Sequence, residues 1–173
     1  MQDLLDGIEQ AVRLLFGGDR ETWRIIALSL RVSGLALLYS ALLGIPLGAL
    51  LGLRAFPGRR LAIALVYTGM GFPPVVIGLF VYLLLSRAGP LGFLGWLFTP
   101  GAMVLAQTII SFPLVAGFTM AAVLGIDPTL RLQLRSLGAS PVQAARAILW
   151  EARTGVLVAV IAGFGSIISE VGA

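Results

Sequence analysis

The chain contains no cysteine and no histidine, and all twelve of its basic residues are arginine. Without thiols or imidazoles it can form no disulfide, cysteine nucleophile, histidine base or usual zinc site. That leaves carboxylates, hydroxyls and amides for any chemistry. Charge of either sign is scarce too. Only 12% of the 173 residues are charged, where a soluble domain carries about 25%. Meanwhile 58% are hydrophobic and the mean hydropathy is +1.00, so the composition predicts a membrane protein. The net charge of +4 comes from a few arginines in a polar-poor chain, and it does not imply nucleic-acid binding. No Walker-type, phosphate-cradling glycine loop is present, so nucleotide chemistry is not expected in this chain.

What the sequence does have is long uncharged runs: Val32 to Leu53, Leu61 to Ser86, Ala88 to Ile126 and Thr154 to Ser169. A bilayer core takes roughly 20 helical residues. The first two runs therefore supply one span each, over about 25–53 and 61–86. The third is too long for one span and contains GPLGFLGWLFTPG, Gly89 to Gly101. Its glycines, prolines and Trp96 predict a re-entrant or surface turn before a span over about 102–124. The fourth run predicts a span over 154–173 that is still in progress where the sequence stops. Residues 1–24 carry Asp3, Asp6 and Glu9 where a signal peptide would be basic, and predict an interfacial or surface helix instead.

Arginines orient the bundle. Arg54, Arg59 and Arg60 lie in one loop, and Arg131, Arg135, Arg146 and Arg153 in the segment 127–153. One span out and one back place both on the same side. The positive-inside tendency makes that side cytoplasmic and the N-terminus external.

Within the spans, GMGFPP at Gly69 to Pro74 nearly demands a mid-membrane bend, because proline removes an intrahelical hydrogen bond. Gly71, Pro73, Pro74 and, in the third span, Pro113 are the candidates for a kink or gate. For the other glycines of the spans, Gly44, Gly48, Gly52, Gly78, Gly117, Gly163 and Gly165, close helix packing is the default explanation. Gln107 predicts an interhelical hydrogen bond ahead of a pore-lining role. Thr68, Ser111, Thr119, Ser166 and Glu170 are the polar groups available to a transport path. Glu170 is a functional candidate as an acid in an apolar helix, although its place near the far interface suits a salt bridge or solvation equally well.

The segment 127–153 holds two helix starts. Asp127-Pro128 offers an acidic cap before a proline, and Ser140-Pro141 repeats this with Gln143 completing a capping box. Gly138 ends the first helix and permits the turn. Two short helices are predicted, about Pro128 to Leu137 and from Pro141 onward, with Leu130, Leu134 and Leu137 at helical spacing beside Arg131 and Arg135. A connecting loop, an interfacial helix and a docking element for another protein all remain open at this point. The docking element accounts best for leucines, arginines and hinge together.

The stretch LRLQLRSLGASPVQAARAILWEAR resembles the cytoplasmic EAA-type loop of ABC importer permeases, and AGFGSIISEVGA from Ala162 resembles the helix that follows it in the tungstate-type branch. GFPPVVIGL, Gly71 to Leu79, adds to the resemblance. Gly138, Ala139 and Ser140 match the central Gly-Ala-Ser of that loop. The preceding Glu-Ala-Ala is replaced by Leu132, Gln133 and Leu134, and the later Leu-Pro falls on Trp150-Glu151, departures that fit the tungstate-type branch. The resemblance implies an all-α polytopic bundle of the type I importer kind, apparently truncated before its last span, in the cell inner membrane. It implies coupling helices that dock on the ATP-hydrolysing subunit through Arg131, Leu134, Arg135, Leu137, Gly138, Ala139, Ser140 and Pro141. Further implications are a homodimer of permeases, a dimer of ATP-binding subunits holding ATP and Mg, an extracytoplasmic solute-binding protein, and no cofactor in this chain. The implied solute is an oxyanion, tungstate first, with molybdate, sulfate or another small solute as alternatives and a non-transporting scaffold as the rival reading. An intramembrane enzyme lacks its parts: no serine has a histidine or lysine base, and no two acids face each other within the spans.

Overall fold

The computed structural model describes residues 20–170. Most of the segment read as an interfacial helix over 1–24, and the last three residues, lie outside them. The described residues form seven α-helices, and no strand occurs among them. Helix α1 covers Arg20–Leu53, α2 Arg59–Met70, α3 Pro74–Leu85, α4 Pro100–Leu124, α5 Pro128–Ser136, α6 Pro141–Glu151 and α7 Arg153–Glu170. Three of these, α1, α4 and α7, are long and apolar enough to cross a membrane.

Helix α4 is the centre of the bundle and packs against α1, α2, α3 and α7. Its seam with α1 follows from small residues spaced four apart. Ser40 bonds Ser111 at a sequence separation of 71. Gly44 lies on Val115, Gly48 on Thr119 and Gly52 on Val123, each pair keeping the same offset. A constant positive offset means that α1 and α4 run in parallel. Because Gly44, Gly48 and Gly52 lack side chains, the two backbones approach closely, which is how helices associate where burial from water supplies no drive. Helix α7 runs antiparallel to α4, with Gly155 against Ala122 and Gly163 against Val115.

Parallel α1 and α4 require the chain between them to return across the bilayer. Two short helices make that return. The bend expected at GMGFPP is a full break: α2 and α3 meet at 104° instead of forming one kinked span over 61–86. The Gly71 N–H closes the end of α2 on the Thr68 carbonyl at 3.0 Å. Pro73 is extended and Pro74 opens α3 as its first residue, a position where its missing N–H costs nothing. Each half has 12 residues, about 18 Å of helix, so neither spans roughly 30 Å of hydrocarbon alone. Helix α2 lies against the later part of α4, with Gly69 on Pro113 and Met70 on Gly117. Helix α3 lies along the early part of α4, beside Ala102, Met103 and Ala106. Together they make one broken span. Helix α4 itself continues through Pro113 without interruption.

The turn expected at Gly89 to Gly101 is a compact loop around a 3-10 turn at Gly92–Leu94. It folds back on α3 through the Leu91 N–H on the Leu84 carbonyl at 3.0 Å and a tilted Tyr82–Phe98 ring contact.

Candidate functional site

The segment between α4 and α7 is built as two capped helices. Asp127 accepts a hydrogen bond from the Thr129 N–H at 2.8 Å. That bond holds the carboxyl below its ordinary pKa, since an N–H donor stabilises the charged form. Helix α5 ends at Ser136, and Gly138 turns the chain with φ of 77°, a left-handed conformation that costs a side-chain-bearing residue about 1 kcal/mol or more. Ser140 then opens α6 with both halves of a capping box: the Gln143 N–H donates to Ser140 Oγ at 3.3 Å, and the Ser140 N–H donates to Gln143 Oε1 at 2.8 Å.

This pair of helices is fastened to the bundle. Val123, Ile148 and Ala152 form a buried cluster, covered by Leu53, Ile126, Leu130 and Leu134. Arg131 reaches back to the end of α1, where its guanidinium donates to the Gly52 carbonyl at 3.0 Å and to the Leu53 carbonyl at 3.5 Å. Arg59 caps the same helix end, its Nε donating to the Leu51 carbonyl at 2.7 Å. Two cations on the free carbonyls of a helix C-terminus satisfy acceptors that have no partner inside the helix, and they complement its dipole. The sequence reading used Arg59 for orientation only and placed Arg131 on the docking face. The available signal was the position of both arginines beside the C-terminus of a long apolar helix.

The eight residues grouped as a docking set therefore divide. Arg131 and Leu134 face the bundle. Arg135, Leu137, Gly138, Ser140 and Pro141 are exposed, and Ala139 is half-buried. Leu137 is 83% exposed and Leu132 is 65% exposed, so the turn presents apolar side chains on either side of Gly138. A cleft of about 530 Å³ between α1, α5 and α6 is lined by Leu53, Arg131, Leu132, Arg135, Ala139 and Ile148, among others.

The five polar residues proposed for a path are not brought together. Ser111 is buried and bonded to Ser40 Oγ, which also donates to the Thr108 carbonyl at 3.2 Å. Thr119 is buried against Gly48, and its hydroxyl has no partner among the described residues. Thr68 is exposed on α2, while Ser166 and Glu170 are half-buried near the end of α7. The interhelical bond expected for Gln107 is not made through its Oε1, which is buried without a partner among the described residues. Ser40, whose spacing from Gly44 and Gly48 carried the signal, makes the polar link in the seam instead. Among the described residues no group of three or more acids could hold a metal ion.

The fold defines a multi-pass α-helical membrane protein with a capped helix pair fastened to one end of the bundle. Comparison with known proteins supplies its family. The tungstate uptake system permease of Peptoclostridium acidaminophilum is 36% identical over 173 residues, covering 100% of this chain and 76% of that protein. A probable anion ABC transporter permease of Haloferax volcanii is 43% identical over 148 residues, 86% of this chain and 64% of that protein. The molybdenum transport system permease of Escherichia coli K12 is 38% identical over 127 residues, 68% of this chain and 54% of that protein. No family model matches the chain. The chain belongs to the ABC transporter permease family. Its relatives are transporter subunits and not enzymes.

Proposed function

We propose that this chain is the membrane-spanning subunit of an ATP-driven importer for an oxyanion, tungstate ahead of molybdate, in the cell inner membrane. Its helix pair α5–α6 faces the cytoplasm and docks on a separate ATP-binding subunit, which holds ATP and Mg. Two copies of the permease would flank the path, and an extracytoplasmic protein would deliver the solute to the side where α1 begins. No covalent bond is made or broken in the permease. Nucleotide-driven movement of the partner is transmitted through the helix pair to α1 and α4.

The observation that carries this reading is the exposed Leu137 at a glycine hinge whose two flanking helices are capped and fastened to the bundle by Arg131 and Ile148. A segment that transmits motion must be stiff where it joins the bundle and open where it meets its partner. The tungstate preference rests on the alignment over the whole chain with a tungstate uptake permease.

The test is reconstitution with an ATP-binding subunit and a solute-binding protein of a tungstate uptake system. Vesicles should accumulate tungstate on ATP addition, and molybdate and sulfate should compete less well than unlabelled tungstate. Equal competition by all three would remove the tungstate assignment. A stable complex with no uptake of any oxyanion would favour a scaffold.

A further inference from the structure

The outward face of α6 has a second surface that the docking hinge does not use. Val142, Ala145, Arg146, Leu149 and Trp150 recur at i, i+3, i+4, i+7 and i+8, the stripe of a single helix face. With Arg153 they line an open groove of about 410 Å³. The buried side of α6, Ile148 and Ala152, points the other way into the bundle. Trp150 is 69% exposed and Val142 is 75% exposed, so the groove has an apolar floor that no described residue covers.

Its charge is of one sign. Arg146 and Arg153 both border it, while Glu151, the acid nearest in sequence, lies about 180° around the helix from Val142. The Arg153 guanidinium sits 5.0 Å from the Trp150 ring centroid. At that distance the cation is held near the indole by a cation–π attraction, and its N–H donors make no hydrogen bond among the described residues, so they are available to a phosphate. Among the described residues, neither Arg146 nor Arg153 has a hydrogen-bonding or ionic partner.

Its location selects the occupant. Arg153 is the first residue of α7, one of the three helices able to cross the membrane, so the groove lies where a span enters the bilayer. At that depth an apolar furrow bounded by two guanidiniums and a tryptophan meets acyl chains on one side and headgroups on the other. We propose that this groove binds an anionic phospholipid, with the acyl chains along Val142, Ala145 and Leu149 and the headgroup phosphate between Arg146 and Arg153. The bound lipid steadies the junction between the helix pair and α7. The inference requires only that α7 enter a bilayer at Arg153, so it stands apart from the transport reading and from the assignment of sides.

The test uses the full chain carrying Trp23→Phe and Trp96→Phe, which leaves Trp150 as the one tryptophan, in nanodiscs of phosphatidylcholine with an increasing mole fraction of either dibrominated phosphatidylglycerol or dibrominated phosphatidylcholine. Both leaflets then hold the same lipid, so orientation does not affect the result. Brominated phosphatidylglycerol should quench Trp150 at lower mole fraction, by roughly fivefold for each participating guanidinium. Arg146→Gln and Arg153→Gln should each remove most of that preference while phosphatidylcholine quenching persists. Arg153→Lys, which keeps charge and bulk, should retain most of it and guards against a variant that merely misfolds. Equal quenching by the two lipids in the parent chain would overturn the proposal. So would quenching by neither, since protein would then cover the groove, or an equal loss of preference in Arg60→Gln, since charge would then act diffusely.

Discussion

Arg131 Nη2 donates to the Gly52 carbonyl at 3.0 Å across 79 residues of sequence, joining the helix pair that follows α4 to the end of α1. One side chain thereby links the segment proposed to meet the ATPase with a helix that lines the longest seam of the bundle. Arg131→Gln keeps a polar side chain but shortens it by two bonds and loses the charge and the guanidinium donors that reach Gly52 and Leu53. Loss of a charge-assisted bond at a half-exposed site should cost on the order of 1 kcal/mol. Amide exchange in residues 127–153 should speed up severalfold while exchange in α4 is unchanged. Unaltered exchange in the segment would show that Leu130 and Leu134 hold it without Arg131.

The seam between α1 and α4 makes a sharper demand. A Cβ at Gly48 would stand 2.8 Å from Thr119 Cβ, inside contact distance, whereas a Cβ at Gly34 meets nothing within 4 Å. Gly48→Leu should therefore force the helices apart and lower the thermal midpoint of the detergent-solubilised protein by several degrees or abolish its folding, at a cost of roughly 1–3 kcal/mol or more. Gly34→Leu should leave the midpoint nearly unchanged. Similar shifts for both would mean that helix propensity, and not the close approach, governs the effect.

Leu134 and Leu137 are three residues apart with opposite surroundings. Leu134→Asp places a charge against the cluster around Ile148 and should destabilise the chain. Leu137→Asp, at the exposed turn, should leave the thermal midpoint within a degree or two while weakening association with the ATP-binding subunit at least tenfold. Binding that survives Leu137→Asp intact would remove the hinge from the docking surface.

Asp127 gives a pH dependence with a definite sign. Its pKa is lowered in the folded chain by the hydrogen bond from the Thr129 N–H, so its stabilising effect is present above the ordinary carboxylate pKa of about 4 and is lost as pH falls through the lower folded value. Exchange at the first turn of α5 should accelerate below about pH 4. In Asp127→Asn, an equally good cap, that acceleration should vanish. An identical acid response in both chains would assign the effect to another group.

Much of this architecture is local and was legible in the residues alone. Apolar run lengths located α1, α4 and α7. The pairing of proline with Asp127, and again with Ser140, marked the starts of α5 and α6, because a cap is satisfied within three residues of sequence. Gly138 marked the turn for the same reason, since its φ is a property of one residue. Gly44, Gly48 and Gly52 pointed to close helix packing, a reading that named neither Ser40 nor the partner helix nor its direction.

Tertiary structure decided what depends on residues far apart in the chain. The sequence required a bend at Gly71 to Pro74, but the 104° between α2 and α3 is set by where each half finds a surface on α4. Arginines sort by charge in a sequence and by acceptors in a fold: Arg131 turned inward because the end of α1 left carbonyls without partners, while Arg135 is exposed and makes no hydrogen bond or ion pair among the described residues. Leu134 and Leu137 share a periodicity, yet only Leu134 meets the cluster around Ile148, because α6 covers one side of α5 and leaves the other bare. A sequence specifies which faces are apolar, and packing alone determines which of them are covered.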